Sequence, residues 1–158
     1  MPCKERLEQY LTDQHVPFDV QHHAVAYTAQ ELAAAEHISG RMVAKSVIVI
    51  AGDRMVMLVL PAVHRVDLTR AALITGAPEV RLADEREFAA IFPDCEAGAM
   101  PPFGNLYDLP VYVDNALAQN ETIVFPAGTH TETMSIRYAD YARLVTPALA
   151  DFRTPAHV

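Results

Sequence analysis

The sequence predicts one α/β or α+β domain that is built on a mixed β-sheet. A chain of 158 residues has the size of one ordinary domain, and it contains no internal repeat or long linker. Hydrophobic residues make up 51% of it and charged residues 20%, which is the composition of a globular protein. Helical and strand patterns follow one another irregularly and include a hairpin signal, so a regular βαβ series is excluded. We therefore expect a single domain over residues 1–158.

The first forty residues predict two helices and a short strand. Apolar residues at helical spacing indicate a first helix from about residue 3 to residue 15. Residues 18–22 have the pattern of a short strand. Thr28 and Glu31 have the spacing of a capping box, which places the start of a second helix at about Ala29.

The next segment predicts a β-hairpin. Residues 43–51 and 54–60 are rich in strand-forming side chains, and Gly52 and Asp53 between them are typical of a tight turn. Residues 55–60 are apolar throughout. We therefore expect the second strand of the hairpin to be covered on both faces.

The second half of the chain predicts three helices and three strands. Asp67 marks the start of a helix that ends at Gly76, and Asp84 with Glu87 marks the start of another that Pro93 ends. The remaining elements are strands at residues 111–113, 122–125 and 134–137 and a closing helix at residues 138–145.

Charge and cysteine content restrict the class of protein. The net charge of −8 argues against a DNA-binding protein or any general nucleic-acid binder, because phosphate contacts need clustered Lys and Arg. Cys3 and Cys95 lack C-x-x-C spacing, which argues against a disulfide framework and a thiolate zinc site and favours a reducing cytosol. The charged N-terminus does not resemble a signal peptide, and the apolar runs are too short to span a bilayer. We expect a cytoplasmic protein without membrane contact.

Three segments carry the candidate functional residues. Lys45 is the one charged residue of the strand at residues 43–51. It either extends its ammonium group to water from the start of the strand or lies at the edge of a pocket, where it would meet an anion such as phosphate.

The second segment is the loop Gly98-Ala-Met-Pro-Pro-Phe-Gly104. Its two prolines remove backbone donors, so the free N–H groups gather at residues 98–100 and 103–104. A rigid loop with exposed amides can hold an oxyanion, although an ordinary proline-rich turn would have the same sequence.

The third segment contains Gly128 and His130. His130 could be a general base, a residue that orients an amide, or a buried histidine with a satisfied ring. The other histidines form no pattern typical of a metal site.

The three segments together resemble the YbaK and prolyl-tRNA-synthetase-associated editing family. AKSVIVI with Lys45, GAMPPFG with Gly98 and Pro102, and IVFPAGTH with Gly128 and His130 occur in the family's order. The resemblance covers about residues 20–146. It implies a compact domain with a barrel-like mixed sheet flanked by helices, and hydrolysis of the ester between a wrong amino acid and the 3′ end of a tRNA.

The resemblance also implies roles for individual residues. Lys45 would contact the phosphate region of the terminal adenosine, the loop would hold the aminoacyl carbonyl through its backbone, and Gly128 and His130 would shape the amino-acid pocket. The family uses no metal or other cofactor, and the 2′-hydroxyl of the adenosine assists the reaction. The implied catalytic residues are Lys45, Gly98, Ala99, Met100 and Pro102, and the implied substrate-binding residues are Pro101, Phe103, Gly104, Gly128 and His130.

The implied partners are the acceptor end of an aminoacyl-tRNA and an aminoacyl-tRNA synthetase. We expect a small amino acid on proline tRNA as the substrate, because Met100 and Phe103 would leave little room in the pocket. The alternatives are a non-catalytic module of the same fold that binds an aminoacyl-tRNA end or a nucleotide, a hydrolase that uses His130 with Glu132 or Asp114, and a protein-interaction domain.

Overall fold

The computed structural model describes residues 2–155, and this part of the chain forms a single mixed α/β domain with two β-sheets. Five α-helices flank the sheets. They are α1 (Cys3–Asp13), α2 (Ala29–Ala35), α3 (Leu68–Thr75), α4 (Glu85–Ile91) and α5 (Tyr138–Val145). None of these helices has both the length and the apolar character that crossing a membrane requires.

The eight strands divide into a sheet of three and a sheet of five. The smaller sheet has the order β1-β7-β6 and is antiparallel, while the larger has the order β4-β2-β3-β5-β8 and is mixed. The predicted mixed sheet is therefore confirmed. The strands are β1 (Asp19–His22), β2 (Ala44–Ala51), β3 (Arg54–Pro61), β4 (Val80–Leu82), β5 (Val111–Asp114), β6 (Thr122–Pro126), β7 (Glu132–Arg137) and β8 (Ala148–Ala150).

The predicted helix starts are confirmed by their caps. The Asp84 carboxylate accepts from the backbone N–H of Glu87, and the Glu87 side chain accepts from the backbone N–H of Asp84. The carboxylate of Asp67 accepts from two backbone N–H groups at the start of α3. The hydroxyl of Thr28 accepts from the backbone N–H of Glu31 at the start of α2. These bonds satisfy donors that the first turn of a helix leaves free.

Strand β3 lies at the centre of the larger sheet, and its residues from Val56 to Pro61 are buried. The prediction that this strand is covered on both faces is confirmed. Met57 and Val59 belong to the main hydrophobic cluster, whereas Leu58 and Leu60 belong to a second cluster on the other side of the sheet. Because successive strand residues point to opposite faces, an apolar run of this kind can fill two cores.

The two sheets meet at the start of β2. Val43 forms a parallel bridge with Val124 of β6, and β4 pairs with β2 only from Val49 onward. Between these two pairings, one edge of β2 has no strand partner within residues 2–155. Lys45 and Ser46 lie in this gap, so the junction of the sheets leaves space beside them.

Cys3 and Cys95 form a disulfide, so the prediction from their spacing was wrong, and the cysteines no longer favour a reducing cytosol. The two residues are 92 positions apart and are brought together by the packing of α1 against the loop after α4. The backbone N–H of Cys3 also donates to the carbonyl of Asp94 at 3.2 Å. The start of α1 is thereby attached to the segment that leads into residues 98–104.

Candidate active site

A cavity of about 290 Å³ lies at the junction of the two sheets. We call it the central cavity. No Asp or Glu is among its described lining residues, and Lys45 is the one that carries a fixed charge. The lining comprises Ala26, Tyr27, Thr28, Ala29, Gln30, Leu32, Lys45, Ser46, Ala62, Gly98, Pro126, Thr129 and His130.

The ammonium group of Lys45 is partly removed from water and has no carboxylate partner within residues 2–155. Burial lowers the pKa of Lys45 because it disfavours the charged form, and the nearby positive charge of Arg65 lowers the pKa further. An anion in the cavity would relieve both effects. Of the two interpretations of Lys45, the position at the edge of a pocket is the one that the structure supports.

Gly98 brings the loop of residues 98–104 to the central cavity. Its φ of +81° is in the left-handed region, which glycine adopts without the cost that a side chain adds. The N–H of Gly98 has no backbone acceptor in the described chain. By contrast, the N–H groups of Ala99 and Phe103 donate to the carbonyls of Glu96 and Pro101, so two of the amides that we expected to be free are not.

His130 supports this loop from the side of the cavity. Its Nε2 lies 2.8 Å from the carbonyl oxygen of Ala97, and a ring nitrogen facing a carbonyl must donate. A Cβ atom added to Gly98 would lie 3.7 Å from Cε1 of His130, which is ordinary van der Waals contact. The ring of Tyr27 packs against the imidazole with 4.9 Å between the ring centroids. The imidazole therefore fixes the position of Ala97, which directly precedes the loop.

The other end of the loop belongs to the hydrophobic core and not to the cavity lining. Met100 and Phe103 are 4% and 1% exposed, and Phe103 packs edge-on against Phe125 and Tyr141. The hydroxyl of buried Tyr141 donates to the carbonyl of Pro102 at 2.7 Å. The prediction that Met100 and Phe103 restrict the size of the pocket is therefore wrong, because both side chains lie in the core.

Gly104 and Gly128 are needed for close packing. A Cβ atom at Gly104 would approach Cγ2 of Val111 to 2.8 Å, and one at Gly128 would approach Sγ of Cys3 to 2.7 Å. Both distances are shorter than atoms in contact allow. These two glycines, with Ala99 and Pro101, lie outside the cavity lining. Their predicted roles at the substrate remain predictions, and their positions suit support of the loop better than contact with a ligand.

Several residues of the central cavity were not predicted from the sequence. Ser46 directly follows Lys45, and Thr129 stands between Gly128 and His130, so both are neighbours of predicted residues. Tyr27 and Gln30 reach the cavity because the backbone N–H of Ala26 donates to the carbonyl of His130. This contact joins distant parts of the sequence, so no local pattern predicts it.

The alternative hydrolase based on His130 lacks the contacts that it needs. Asp114 is buried and accepts from Arg153 and from the backbone N–H groups of Ala116 and Phe152. Glu132 pairs with Lys4. The imidazole of His130 contacts neither carboxylate among the described hydrogen bonds. Within residues 2–155, no three His, Cys, Asp or Glu side chains lie together as a metal site would require.

Comparison with known proteins gives the chain a family. The family model described as an aminoacyl-tRNA editing domain matches residues 23–144. The chain is 35% identical over 92 residues to a proline–tRNA ligase of Thiobacillus denitrificans, covering 58% of this chain and 16% of the ligase. It is 30% identical over 105 residues to the multifunctional Ser/Thr-tRNA deacylase ProXp-y of Escherichia coli (strain K12), covering 66% of this chain and 62% of that protein. It thus spans less than two thirds of either relative.

The fold agrees with this match. A crystal structure of a proposed trans-editing enzyme for prolyl tRNA synthetase superimposes with a TM-score of 0.84 at 22% identity, covering 98% of this chain and 99% of that one. At that identity the comparison shows a shared fold. The family match extends over most of the chain and includes Lys45, Gly98 and His130. The chain therefore belongs to the aminoacyl-tRNA editing domain family.

Proposed function

We propose that this chain is a trans-editing deacylase, which hydrolyses the ester bond of a mischarged tRNA. One observation carries the proposal: the central cavity of an editing domain is lined by one fixed charge, Lys45, and by Gly98, whose backbone N–H has no acceptor in the described chain. The cation suits a phosphate or another anion, and the amide suits a carbonyl oxygen that gains negative charge. We further propose that residues 1–158 act together as one domain.

In the proposed reaction, the oxygen of a water molecule forms a bond to the ester carbonyl carbon. The negative charge that develops on the carbonyl oxygen is stabilised by the N–H of Gly98, whose position His130 fixes through Ala97. The bond from the carbonyl carbon to the ribose oxygen then breaks, the ribose oxygen takes a proton, and the amino acid leaves. Since an aminoacyl ester is already activated, positioning and charge stabilisation can suffice without a side-chain nucleophile.

The remaining predicted residues would act through the loop. Pro102 is held by Tyr141, and Phe103 is held by the core, so both would fix the direction in which Gly98 enters the cavity. Ala99 would contribute through its carbonyl, which accepts from the N–H of Gly128 at 3.0 Å. Met100, Pro101 and Gly104 are buried beside them. We therefore propose positioning roles for these residues.

The proposed substrate carries a small amino acid. The cavity of about 290 Å³ must hold the aminoacyl group and part of the terminal nucleotide, which leaves little room for a large side chain. Its lining includes Ser46, whose hydroxyl has no hydrogen-bond partner in the described chain, and this suits a small polar side chain. The names of the relatives favour serine or threonine as the amino acid and proline tRNA as one carrier.

The proposed partners are the acceptor end of the aminoacyl-tRNA and a synthetase that releases it. An enzyme of this kind would act where translation takes place, so we propose a cytoplasmic location. A relative that is itself a proline–tRNA ligase supports the link to a synthetase.

The deciding experiment measures loss of the amino acid from a panel of mischarged tRNAs. We expect Lys45→Ala to lower kcat/KM at least about tenfold, because it removes the cation that would meet the substrate phosphate. Lys4→Ala is the matched control, since the other lysine of the chain pairs with Glu132 outside the central cavity. Equal losses in the two variants, or no loss in Lys45→Ala with the fold intact, would contradict the role of Lys45.

The same panel separates the proposal from a non-catalytic module of the same fold. A module would bind an aminoacyl-tRNA end and leave every ester intact. Wild-type protein that binds mischarged tRNA but hydrolyses none of the panel would establish that alternative.

A further inference from the structure

A second cavity of about 350 Å³ lies beside the central cavity. Pro61 and His64 line the second cavity, and Ala62 between them lines the central one, so the segment at residues 61–65 separates the two. Arg41 and Arg153 also line the second cavity. The two cavities are therefore separated by one short stretch of chain.

The central and second cavities differ in charge from three other cavities of the described chain. The chain has a net charge of −8, and three other surface cavities each carry at least one Asp or Glu. Neither the central nor the second cavity has an acidic residue in its lining within the described chain. An anionic ligand would meet the least repulsion here.

Two exposed arginines contribute charge that no carboxylate cancels. Arg41 and Arg65 form no ion pair with any Asp or Glu within residues 2–155. Arg65 is near enough to Lys45 for its charge to act on that ammonium group. Arg153 differs, because Asp114 and Asp151 both accept from its guanidinium group.

The backbone of the two arginines is held by long-range hydrogen bonds. The carbonyl of Arg41 accepts from the side-chain amide of Asn120 at 2.9 Å, and the carbonyl of Arg65 accepts from the N–H of Thr154 at 2.8 Å. Nδ1 of His64 lies 2.6 Å from the carbonyl oxygen of Thr154. These bonds use backbone and neighbouring groups and leave both guanidinium groups without an intramolecular partner in the described chain. Side chains can then be truncated without loss of the bonds that shape the surface.

We propose that Arg41, which lines the second cavity, and Arg65, which directly follows the lining residue His64, bind phosphates of the tRNA strand that leads to the terminal nucleotide in the central cavity. This inference rests on the proposed function. We call Arg41 and Arg65 the arginine pair. A guanidinium group is planar and can donate two parallel hydrogen bonds to the oxygens of one phosphate. Contacts of this kind depend on the backbone of the strand and not on its base sequence. The pair explains how an acidic protein could take up a polyanion at one small surface.

The test compares Arg41→Ala/Arg65→Ala with Arg54→Ala/Arg86→Ala on full-length mischarged tRNA. Arg54 and Arg86 are also exposed and without ion pairs in the described chain, but Arg54 lies at the opposite end of the β2–β3 hairpin from Pro61, and Arg86 lines a different cavity beside Asp84 and Glu85. We expect the arginine-pair variant to raise KM roughly 10-fold to 100-fold and to lower the slope of log kcat/KM against log salt by about one to two. The control variant should lower that slope much less.

A second substrate tests the location of the contact. Aminoacyl-adenosine has the ester and the terminal nucleoside but none of the preceding phosphates. Wild-type protein and the arginine-pair variant should hydrolyse it at equal rates. Equal KM values on full-length tRNA, or an equal loss on both substrates, would overturn the inference while leaving the proposed function standing. If wild-type protein hydrolyses neither substrate, the proposed function fails first.

Discussion

Gly98 and Phe103, near the two ends of the loop at residues 98–104, differ in surroundings although only five positions separate them. Gly98 is exposed at the central cavity, and its N–H has no backbone acceptor within residues 2–155, whereas Phe103 is 1% exposed and packs against the rings of Phe125 and Tyr141. The cavity end lines the candidate site, and the core end is packed among buried side chains. One short motif therefore supplies both a cavity residue and the core residues that anchor it.

Phe103→Ala should have the largest effect on stability and tests the core end. We expect the free energy of unfolding to fall by about 3–5 kcal/mol, because a buried aromatic ring is lost and a void remains. Denaturant unfolding monitored by circular dichroism measures the change. Phe103→Leu should cost less, since most of the volume is kept. A loss below about 1 kcal/mol in the alanine variant would show that the core end is not an anchor.

Tyr141→Phe should have an intermediate effect and tests the hydrogen bond that holds the loop. The variant leaves the carbonyl of buried Pro102 without its donor, so we expect a loss of about 1–3 kcal/mol. Tyr138→Phe is the matched control, because the hydroxyl of Tyr138 has no hydrogen-bond partner in the described chain. Equal unfolding free energies for the two variants would contradict an anchoring role for Tyr141.

Gly98→Ala should have the smallest effect on stability and the clearest effect on activity. A side chain at a φ of +81° costs about 1–2 kcal/mol, and a Cβ atom there meets no clash. We nevertheless expect kcat for mischarged tRNA to fall about 100-fold, because relief of the strain would move the amide out of position.

Gly76→Ala is the control for Gly98→Ala. Gly76 has a φ of +71° at the end of α3 and nothing within 4 Å of an added Cβ atom, so it has similar strain outside the cavity. The melting temperature of the Gly76→Ala variant should fall about as much as that of the Gly98→Ala variant, while its kcat stays at the wild-type value. If kcat also stays unchanged in Gly98→Ala, the cavity end of the loop does not stabilise the reacting carbonyl.

Much of the fold could be predicted because its signals are local. Asp84 with Glu87, the turn at Gly52 and the apolar run of β3 each determine structure within a few residues, and all were found where expected. The strands β4 (Val80–Leu82) and β8 (Ala148–Ala150) were not predicted. Three residues cannot display a period of two, and both strands exist because neighbouring strands offer free hydrogen-bonding edges.

The site could be predicted only in part for the same reason. Lys45, Gly98 and His130 stand in recognisable segments, and the structure places all three at the central cavity. Tyr27 reaches the cavity through long-range contacts, and Cys3 pairs with Cys95 across 92 residues. No local spacing encodes such contacts. The direction of each residue in the loop, toward the cavity or the core, likewise depends on what packs around it.

The two lysines of the chain are expected to differ in their reaction with acylating reagents. A hydrogen bond to Glu132 raises the pKa of Lys4, while burial lowers the pKa of Lys45. Only the neutral amine attacks an activated ester, so at a mildly alkaline pH Lys45 has the larger reactive fraction of the two. A small reagent that reaches the central cavity should therefore modify Lys45 in preference to Lys4. The burial that lowers the pKa of Lys45 would then make the cavity accessible to a chemical probe without any substitution.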